Sequence, residues 1–261
     1  RELREYLHVA VAAARQAGEV IRRSFYAPKD VQHKGKFDLV TETDKQCEAL
    51  IMQHISAAYP SHKIIGEEES SVHGTAGLSD DPTWMVDPLD GTTNFIHRYP
   101  FVCVSIGLAI SKVVVVAVVF NPILNEARPP AHHATRLSTP SCMPFASQLP
   151  HACHSPLNSL MHAIRLSTPS FMPFTAHASP ALHTTIGTKR DAATVEGIAA
   201  RISTLLFQVR SLRMGGSCAL NLAGVACGRL DLFYEIDFGG PWDVAAGSLI
   251  VEEAGGLCFD P

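Results

Sequence analysis

Between Lys63 and Arg98 the chain carries seven acidic residues, Glu67, Glu68, Glu69, Asp80, Asp81, Asp87 and Asp90, and no lysine or arginine. The stretch closes with WMVDPLDGTTNF. Two carboxylates about 4 Å apart repel by roughly 4 kcal/mol at an effective dielectric of about 20, so acids that converge in a fold are protonated, spread apart or hold metal ions. Something cationic other than a side chain has to answer this charge, which favours metal.

Around that stretch the pattern alternates between helices and strands. From Glu2 to Phe25 the apolar residues Leu3, Leu7, Val11, Ala14, Ala17 and Ile21 recur every three or four positions, the stripe of an amphipathic helix. Thr43 and Gln46 have capping-box spacing and predict a second helix, with Cys47, Leu50, Ile51, Ile55 and Ala58 on one face until Tyr59 and Pro60 stop it. His62 to Ile65 and Thr83 to Val86 predict short strands, each delivering an acid at its carboxyl end. Phe101 to Ile110 and Val113 to Phe120 are nearly continuous apolar runs, as buried strands are. Farther on, Val195, Ile198, Ile202, Leu205 and Val209 mark a helix, and Arg210 to Met214 a strand. Gly215, Gly216 and Ser217 open a helix through Ala226, which Gly228 ends in a left-handed conformation. Leu230 to Tyr234 predicts a strand, and Asp243 starts a helix that runs to Ala254. Interleaved strands and helices mean a mixed α/β (α+β) class in stacked layers. At 261 residues and 46% hydrophobic side chains, the chain can bury a full core as one domain spanning 1–261.

A compositional break interrupts this pattern. From Ala127 to Arg190 there is no acidic residue, while nine prolines and seven histidines crowd in. Hydrophobic periodicity disappears there, which predicts loop or disorder for an atypical 127–183 insert. HATRLSTPSCMPF from His133 recurs as HAIRLSTPSFMPF from His162, and two Pro-rich copies are too few for a solenoid. His132, His133, His151 and His154 with Cys142 and Cys153 are too irregularly spaced to predict zinc.

Several functional classes are disfavoured outright. A net charge of −4 without a basic cluster argues against a nucleic-acid groove. Seven scattered cysteines, an odd number with no CxxC, suit a reducing cytoplasm better than a disulfide framework. The longest apolar run, Val113 to Phe120, is too short to span a bilayer, and no signal-peptide core opens the chain.

The chemistry centres on Asp87-Pro88-Leu89-Asp90-Gly91-Thr92, where a strand gives way to a turn and a short helix. Pro88 fixes φ, Gly91 permits close backbone approach, and the two aspartates can face one point with the Leu89 carbonyl between them. Oxygen-only ligands of this kind suit magnesium completed by substrate phosphate, and backbone N–H groups at Gly91 and Thr92 would cradle a phosphate. Glu67 after a strand offers a carboxylate that could bridge two ions. Asp243 and Asp44 each stand at a helix start, where capping is the default role.

These segments together, GEE, DPLDGTTNF and WDVAAGSLIVEEAGG, with DLVTETD ahead and GGSCALNLAGVACG between, resemble the inositol monophosphatase family in order and spacing, its plant-type members most closely. The likeness covers Leu3 to Glu126 and Thr185 to Pro261. It implies the layered α-β-α-β-α sugar-phosphatase fold shared with fructose-1,6-bisphosphatase, regular over 1–126 and 184–261. Members of that family normally have a hairpin and core strand where this chain carries the Pro/His-rich segment, and a further strand and helix after the position of Pro261, and both are expected to be missing here. By the same likeness Glu67, Asp87, Asp90, Asp243 and the Leu89 carbonyl hold two or three Mg²⁺ ions. Glu67 and Thr92 activate the attacking water, with Asp44 hydrogen-bonding beside it. Leu89, Asp90, Gly91, Thr92, Gly216, Ser217, Cys218, Glu235 and Asp243 meet the substrate, Glu235 as an acceptor for a sugar hydroxyl.

The implied activity is hydrolysis of myo-inositol 1-phosphate, with L-galactose 1-phosphate or histidinol phosphate as alternatives. Lithium sensitivity, a homodimer and a cytoplasmic location are further implications. The competing reading is an inactive homologue that serves as a dimer partner.

Overall fold

The computed structural model describes residues 2–33, 39–74, 77–128, 162–166, 181–184, 191–235 and 238–259. The chain opens with α1 (Glu2–Ser24), a short antiparallel pair of β1 (Val31–His33) and β2 (Leu39–Thr41), and α2 (Glu42–Ala58). A five-stranded sheet follows: β3 (Lys63–Gly66), β4 (Thr83–Asp90), β5 (Cys103–Ile110), β6 (Val113–Asn121) and β7 (Glu126–Arg128), in that spatial order. The β3–β4 pair is parallel and the others are antiparallel. Two short helices, α3 (Glu67–His73) and α4 (Thr92–Ile96), leave the carboxyl ends of β3 and β4.

Side chains alternate across this sheet, and each face has its own core. Trp84, Val86, Val104, Ile106, Leu108, Val116 and Val118 pack with α1 and α2, whereas Met85, Cys103, Ala109, Ala117 and Val119 face the opposite layer. Burial on both faces explains why these strands read as unbroken apolar runs.

The opposite layer belongs to the second half, where α5 (Ala192–Leu206), α6 (Cys218–Ala226) and α7 (Pro241–Glu253) accompany a second sheet. That sheet has the order β10 (Ser211–Met214), β9 (Ala181–Thr184), β11 (Leu232–Glu235), β8 (His162–Leu166), β12 (Gly256–Phe259). Helices α6 and α7 lie between the sheets. Small residues let them approach closely: a methyl at Gly107 would stand 3.1 Å from the Ala245 Cβ, and one at Gly247 would overlap Leu222.

Four details depart from the sequence reading. The buried seam of α1 runs through Tyr6, Ala10, Ala13, Ala14, Ala17, Gly18 and Ile21, while Leu3, Leu7 and Val11 are only partly buried. Alanines and a glycine allow α1 to lie close to β6, where a methyl at Gly18 would overlap the Phe120 ring. Helix α2 is capped by Thr41 with Asp44 at its third position, not by the Thr43–Gln46 pair. Residues Gly256–Phe259 form a strand that no alternation announced.

The fourth concerns the Pro/His-rich segment. His162–Leu166 pairs antiparallel with β11 and β12, and Ala181–Thr184 pairs parallel with β10 and β11. Two strands thus occur where no regular structure is expected. The first copy of the repeat and the histidines and cysteines considered for zinc lie outside the described residues, as does Asp38. No described helix is long and apolar enough to cross a membrane.

Candidate active site

The two aspartates of the DPLD turn are three residues apart, so in a regular strand they would point to opposite faces. Strand β4 slips its register between them: Asp87 pairs with Ser105, and Asp90 with Cys103. Three steps on β4 against two on β5 is a β-bulge, and it turns both carboxylates to one side. That side faces the second half, since the Ser105 hydroxyl donates to the Trp242 carbonyl at 3.1 Å on α7. Gly91 then takes φ +93°, and a Cβ there would meet the Phe101 carbonyl at 2.9 Å and the Gly216 carbonyl at 3.3 Å. Only glycine fits that combination comfortably.

Around Asp90 the second half supplies donors. Its Oδ2 accepts from the Ser217 hydroxyl at 2.6 Å and the Ala219 N–H at 2.7 Å, and its Oδ1 from the Cys218 N–H at 3.2 Å. The Cys103 thiol approaches Oδ2 at 3.6 Å. Burial pushes the Asp90 carboxyl up, and the Ser217, Ala219 and Cys218 donors oppose it. The start of α6, with its positive dipole end, is therefore a partial counter-charge.

Asp87 has less relief. Its Oδ1 accepts from the Leu89 N–H at 3.0 Å. Burial, followed by the charges of Glu67, Asp90 and Asp243, drives its carboxyl well above the usual range. Asp243 lies in the first turn of α7, where its Oδ2 accepts from the Gly240 N–H at 3.1 Å. Burial and then Glu67, Asp90 and Glu235 push it upward too.

On the other side stands α2. Asp44 accepts from the Thr41 N–H at 2.9 Å and from the Thr41 hydroxyl, and its Oδ1 accepts from the Thr92 hydroxyl at 2.9 Å. The Leu89 carbonyl is an alternative acceptor for Thr92 at 3.3 Å. Burial raises the Asp44 carboxyl to about 6. Asp44 is thus a cap, the bland reading of its position, and a partner of Thr92 as well.

The structure gathers the residues singled out in the sequence into one region. The charges of Glu67, Asp90 and Asp243 act on Asp87; a Cβ at Gly91 would meet the Gly216 carbonyl; and Cys218 senses Glu235, Asp243 and Asp90. Among the described residues, no three His, Cys, Asp or Glu side chains stand in a ready-made metal-ligand arrangement. The Asp90 carboxylate is taken up by the donors at the start of α6. Ion pairs among the described residues are peripheral, and none involves Asp87, Asp90 or Asp243.

Sequence reasoning passed over three contributors. Asn94 donates to the carbonyls of Phe101 and Gly215, each at 2.8 Å, tying the turn after β4 to the entrance of α6. Its place within DGTTNF is the only signal it gave. Cys103 hides within an apolar run. Glu48, a turn beyond Asp44, accepts from the N–H groups of Glu68 and Glu69.

Comparison with known proteins identifies the family and the fold. The model of the "Inositol monophosphatase family" matches residues 2–261, including the Pro/His-rich segment. Inositol monophosphatase 2 of Solanum lycopersicum is 52% identical over 99% of this chain and 88% of its own length. The inositol monophosphatase of Mesembryanthemum crystallinum is 50% identical over 99% of this chain and 86% of its own. The solved structure of inositol monophosphatase from Anabaena superposes with a TM-score of 0.69 at 31% identity, covering 98% of this chain and 83% of that one.

Proposed function

The chain belongs to the inositol monophosphatase family of phosphatases, and we propose that it hydrolyses myo-inositol 1-phosphate to inositol and phosphate with the help of magnesium. One observation carries the metal part of this reading. Glu67, Asp87, Asp90 and Asp243 are held near one another, and burial raises the three aspartates above the ordinary carboxylate range, with repulsion from the neighbouring acids adding to it at Asp87 and Asp243. Such an arrangement is costly unless a cation enters it.

The donor chemistry fits magnesium. The candidate ligands are carboxylates plus the Leu89 carbonyl, all hard oxygens, while burial holds the neighbouring Cys103 and Cys218 thiols well above their usual range and hence protonated. Glu67, Asp87, Asp90, Asp243 and Leu89 would hold two or three ions. When bound, magnesium supplies a low-pKa water and neutralises charge on the phosphate and the leaving oxygen.

The side chains have separable tasks. Because the Thr92 hydroxyl gives its hydrogen to Asp44, its lone pairs are free to accept from a water between it and Glu67. Glu67 is the base that takes the water's proton, and Asp44 fixes the direction of the Thr92 oxygen. Attack is direct and in line, without a phosphoenzyme. Gly216, Ser217, Cys218 and Glu235 border the side from which the inositol ring enters, and Glu235 accepts from a ring hydroxyl.

Phosphate release from myo-inositol 1-phosphate, with and without magnesium, tests the reading against Asp90→Asn. Magnesium-dependent release by the wild type and its loss in the variant are expected; equal release from both would discard the enzyme. L-Galactose 1-phosphate and histidinol phosphate in the same assay rank the substrate, and inhibition by lithium is expected.

A further inference from the structure

Glu48 has no part in the chemistry above, yet it is one of the most constrained acids in the molecule. It lies one helical turn beyond Asp44 on α2, so both carboxylates project from one face. It is only 5% exposed. A buried carboxylate requires donors, and Glu48 finds them on another element. Its Oε2 accepts from the Glu68 N–H and its Oε1 from the Glu69 N–H, both at 2.8 Å.

Those two N–H groups belong to the first turn of α3 and have no acceptor inside the helix. The N-cap of α3 is Gly66, which has no side chain to offer them. Glu48 therefore does from α2 what an N-cap side chain does locally.

Gly66 makes the contact possible. A Cβ there would stand 2.5 Å from Glu48 Oε2 and 2.6 Å from its Cδ. Its backbone, at φ −101° and ψ 153°, is open to any residue. Glycine at 66 is thus required by the room Glu48 occupies and not by conformation. Between the pinned groups and Gly66 sits Glu67, the first residue of α3, and the direction of its side chain follows from how that turn is held. The arrangement is held against repulsion, since Glu67 and Glu69 both act on Glu48 and burial raises its carboxyl. An apolar residue would avoid that penalty but leave two N–H groups unmet.

We infer that Glu48 is a positioning residue: by clasping the first turn of α3 it aims Glu67 at the cation site, an assignment that rests on the magnesium reading above. With Asp44 holding Thr92 one turn earlier, a single face of α2 sets both groups that flank the attacking water.

Magnesium binding to the full chain without substrate, followed by titration calorimetry, tests this directly. Glu48→Gln and Gly66→Ala should each weaken magnesium affinity by about 10-fold to 100-fold, the range seen when groups that orient metal ligands are changed. Gly66→Ala keeps every charge, so its effect isolates geometry from charge. Because both changes break one contact, the double variant should bind within about 2-fold of the weaker single one. Asp191→Ala, which removes the cap of α5 where Asp191 accepts from the Thr194 N–H at 3.0 Å, should leave affinity unchanged. If Glu48→Gln lacks a cooperative thermal transition, Glu48→Asp carries the same expectation with the charge kept and the reach shortened. Wild-type affinity in the Glu48 and Gly66 variants, even with lowered thermal midpoints, overturns the inference and leaves the metal reading intact. No magnesium binding by the wild type overturns both.

Discussion

Every residue of β4 is buried, and β5 is buried up to its last residue, whereas α5 in the second half buries none and β10 none. The acids are divided along the same line. Asp87 and Asp90 stand on the closely packed sheet, which can hold like charges together because its strands cannot spread. The second half adds Asp243 on α7 to those charges and supplies the groups that relieve or read them: the N–H groups of α6, the hydroxyl of Ser217, and Glu235. Rigidity on one side and hydrogen-bonding capacity on the other are different requirements, and the fold meets them with different lobes.

The largest expected effect breaks the acidic side. Asp87→Asn should reduce phosphate release by about 1,000-fold, equivalent to ~4 kcal/mol of transition-state stabilisation, since one metal ligand and its charge are lost. The same substitution should stabilise the metal-free protein by about 1 kcal/mol, because the amide still accepts from the Leu89 N–H while the repulsion from Glu67, Asp90 and Asp243 disappears. Chemical denaturation in chelator, read beside the activity, checks the opposite signs. A destabilised Asp87→Asn would mean that this carboxylate is not under repulsive load.

Packing on the same side comes next. Leu108 is fully buried on β5 within the α1–α2 core, and Leu108→Ala should cost about 3 kcal/mol. A loss below about 1 kcal/mol in urea denaturation would contradict the rigidity assigned to the first sheet.

The pH dependence sharpens the contrast further. Asp44 is pushed from 3.8 to about 6, and Asp87, Asp90 and Asp243 are also raised, so the folded state binds more protons than the unfolded chain. Their stabilising contribution is full below the unfolded value and is lost as pH rises through the folded one. In chelator the thermal midpoint should therefore fall between pH 4 and pH 6, the interval bounded by the two Asp44 values. Glu19, Asp81 and Asp191 are shifted downward and act in the opposite sense, but all are solvated and contribute little. Magnesium should restore the midpoint, and more at pH 8 than at pH 5, as protons cease to compete for the same oxygens. A midpoint that rises across that interval in chelator would sink the argument.

Relief from the second half is smaller again. Ser217→Ala removes the 2.6 Å bond to Asp90 and the cap that accepts from the Leu220 N–H at 3.3 Å. A loss of about 1 to 2 kcal/mol is expected, with weaker magnesium binding because Asp90 is no longer aimed. Calorimetry on the folded variant separates the two effects.

What the sequence made legible follows the same division. Long periodic helices, the apolar strands of the first sheet and the acidic motifs could be read because each is contiguous and dominated by one physical demand. The convergence of Asp87 and Asp90 could be guessed from Pro88 and Gly91, but the register slip that achieves it depends on pairing with Ser105 and Cys103 and has no local signature. The later part of the α1 seam, Ala14, Ala17 and Ile21, is legible in the periodicity, whereas Leu3, Leu7 and Val11 are only partly buried because the closeness of β6 selects the smaller Ala10 and Gly18. Thr41 and Thr43 both suit a cap, and the choice falls to Thr41 because Asp44 returns two bonds to it. Strands β8, β9 and β12 were invisible for a related reason. Each is four or five residues long, and its partners are distant in sequence.

The smallest expected effect tests the soft side of the comparison. Ile202 belongs to the apolar stripe that announced α5, yet that helix buries none of its residues. Ile202 is half-buried, so truncation there removes less area from solvent exclusion than in a fully buried strand, and alanine is a better helix former than isoleucine by a few tenths of a kcal/mol. The two terms oppose each other, so Ile202→Ala should change stability by less than about 0.5 kcal/mol, against the loss expected for Leu108→Ala on β5. Equal losses from the two substitutions would show that the α5 stripe is covered in solution, and that the difference in burial between β5 and α5 does not govern their contributions to stability.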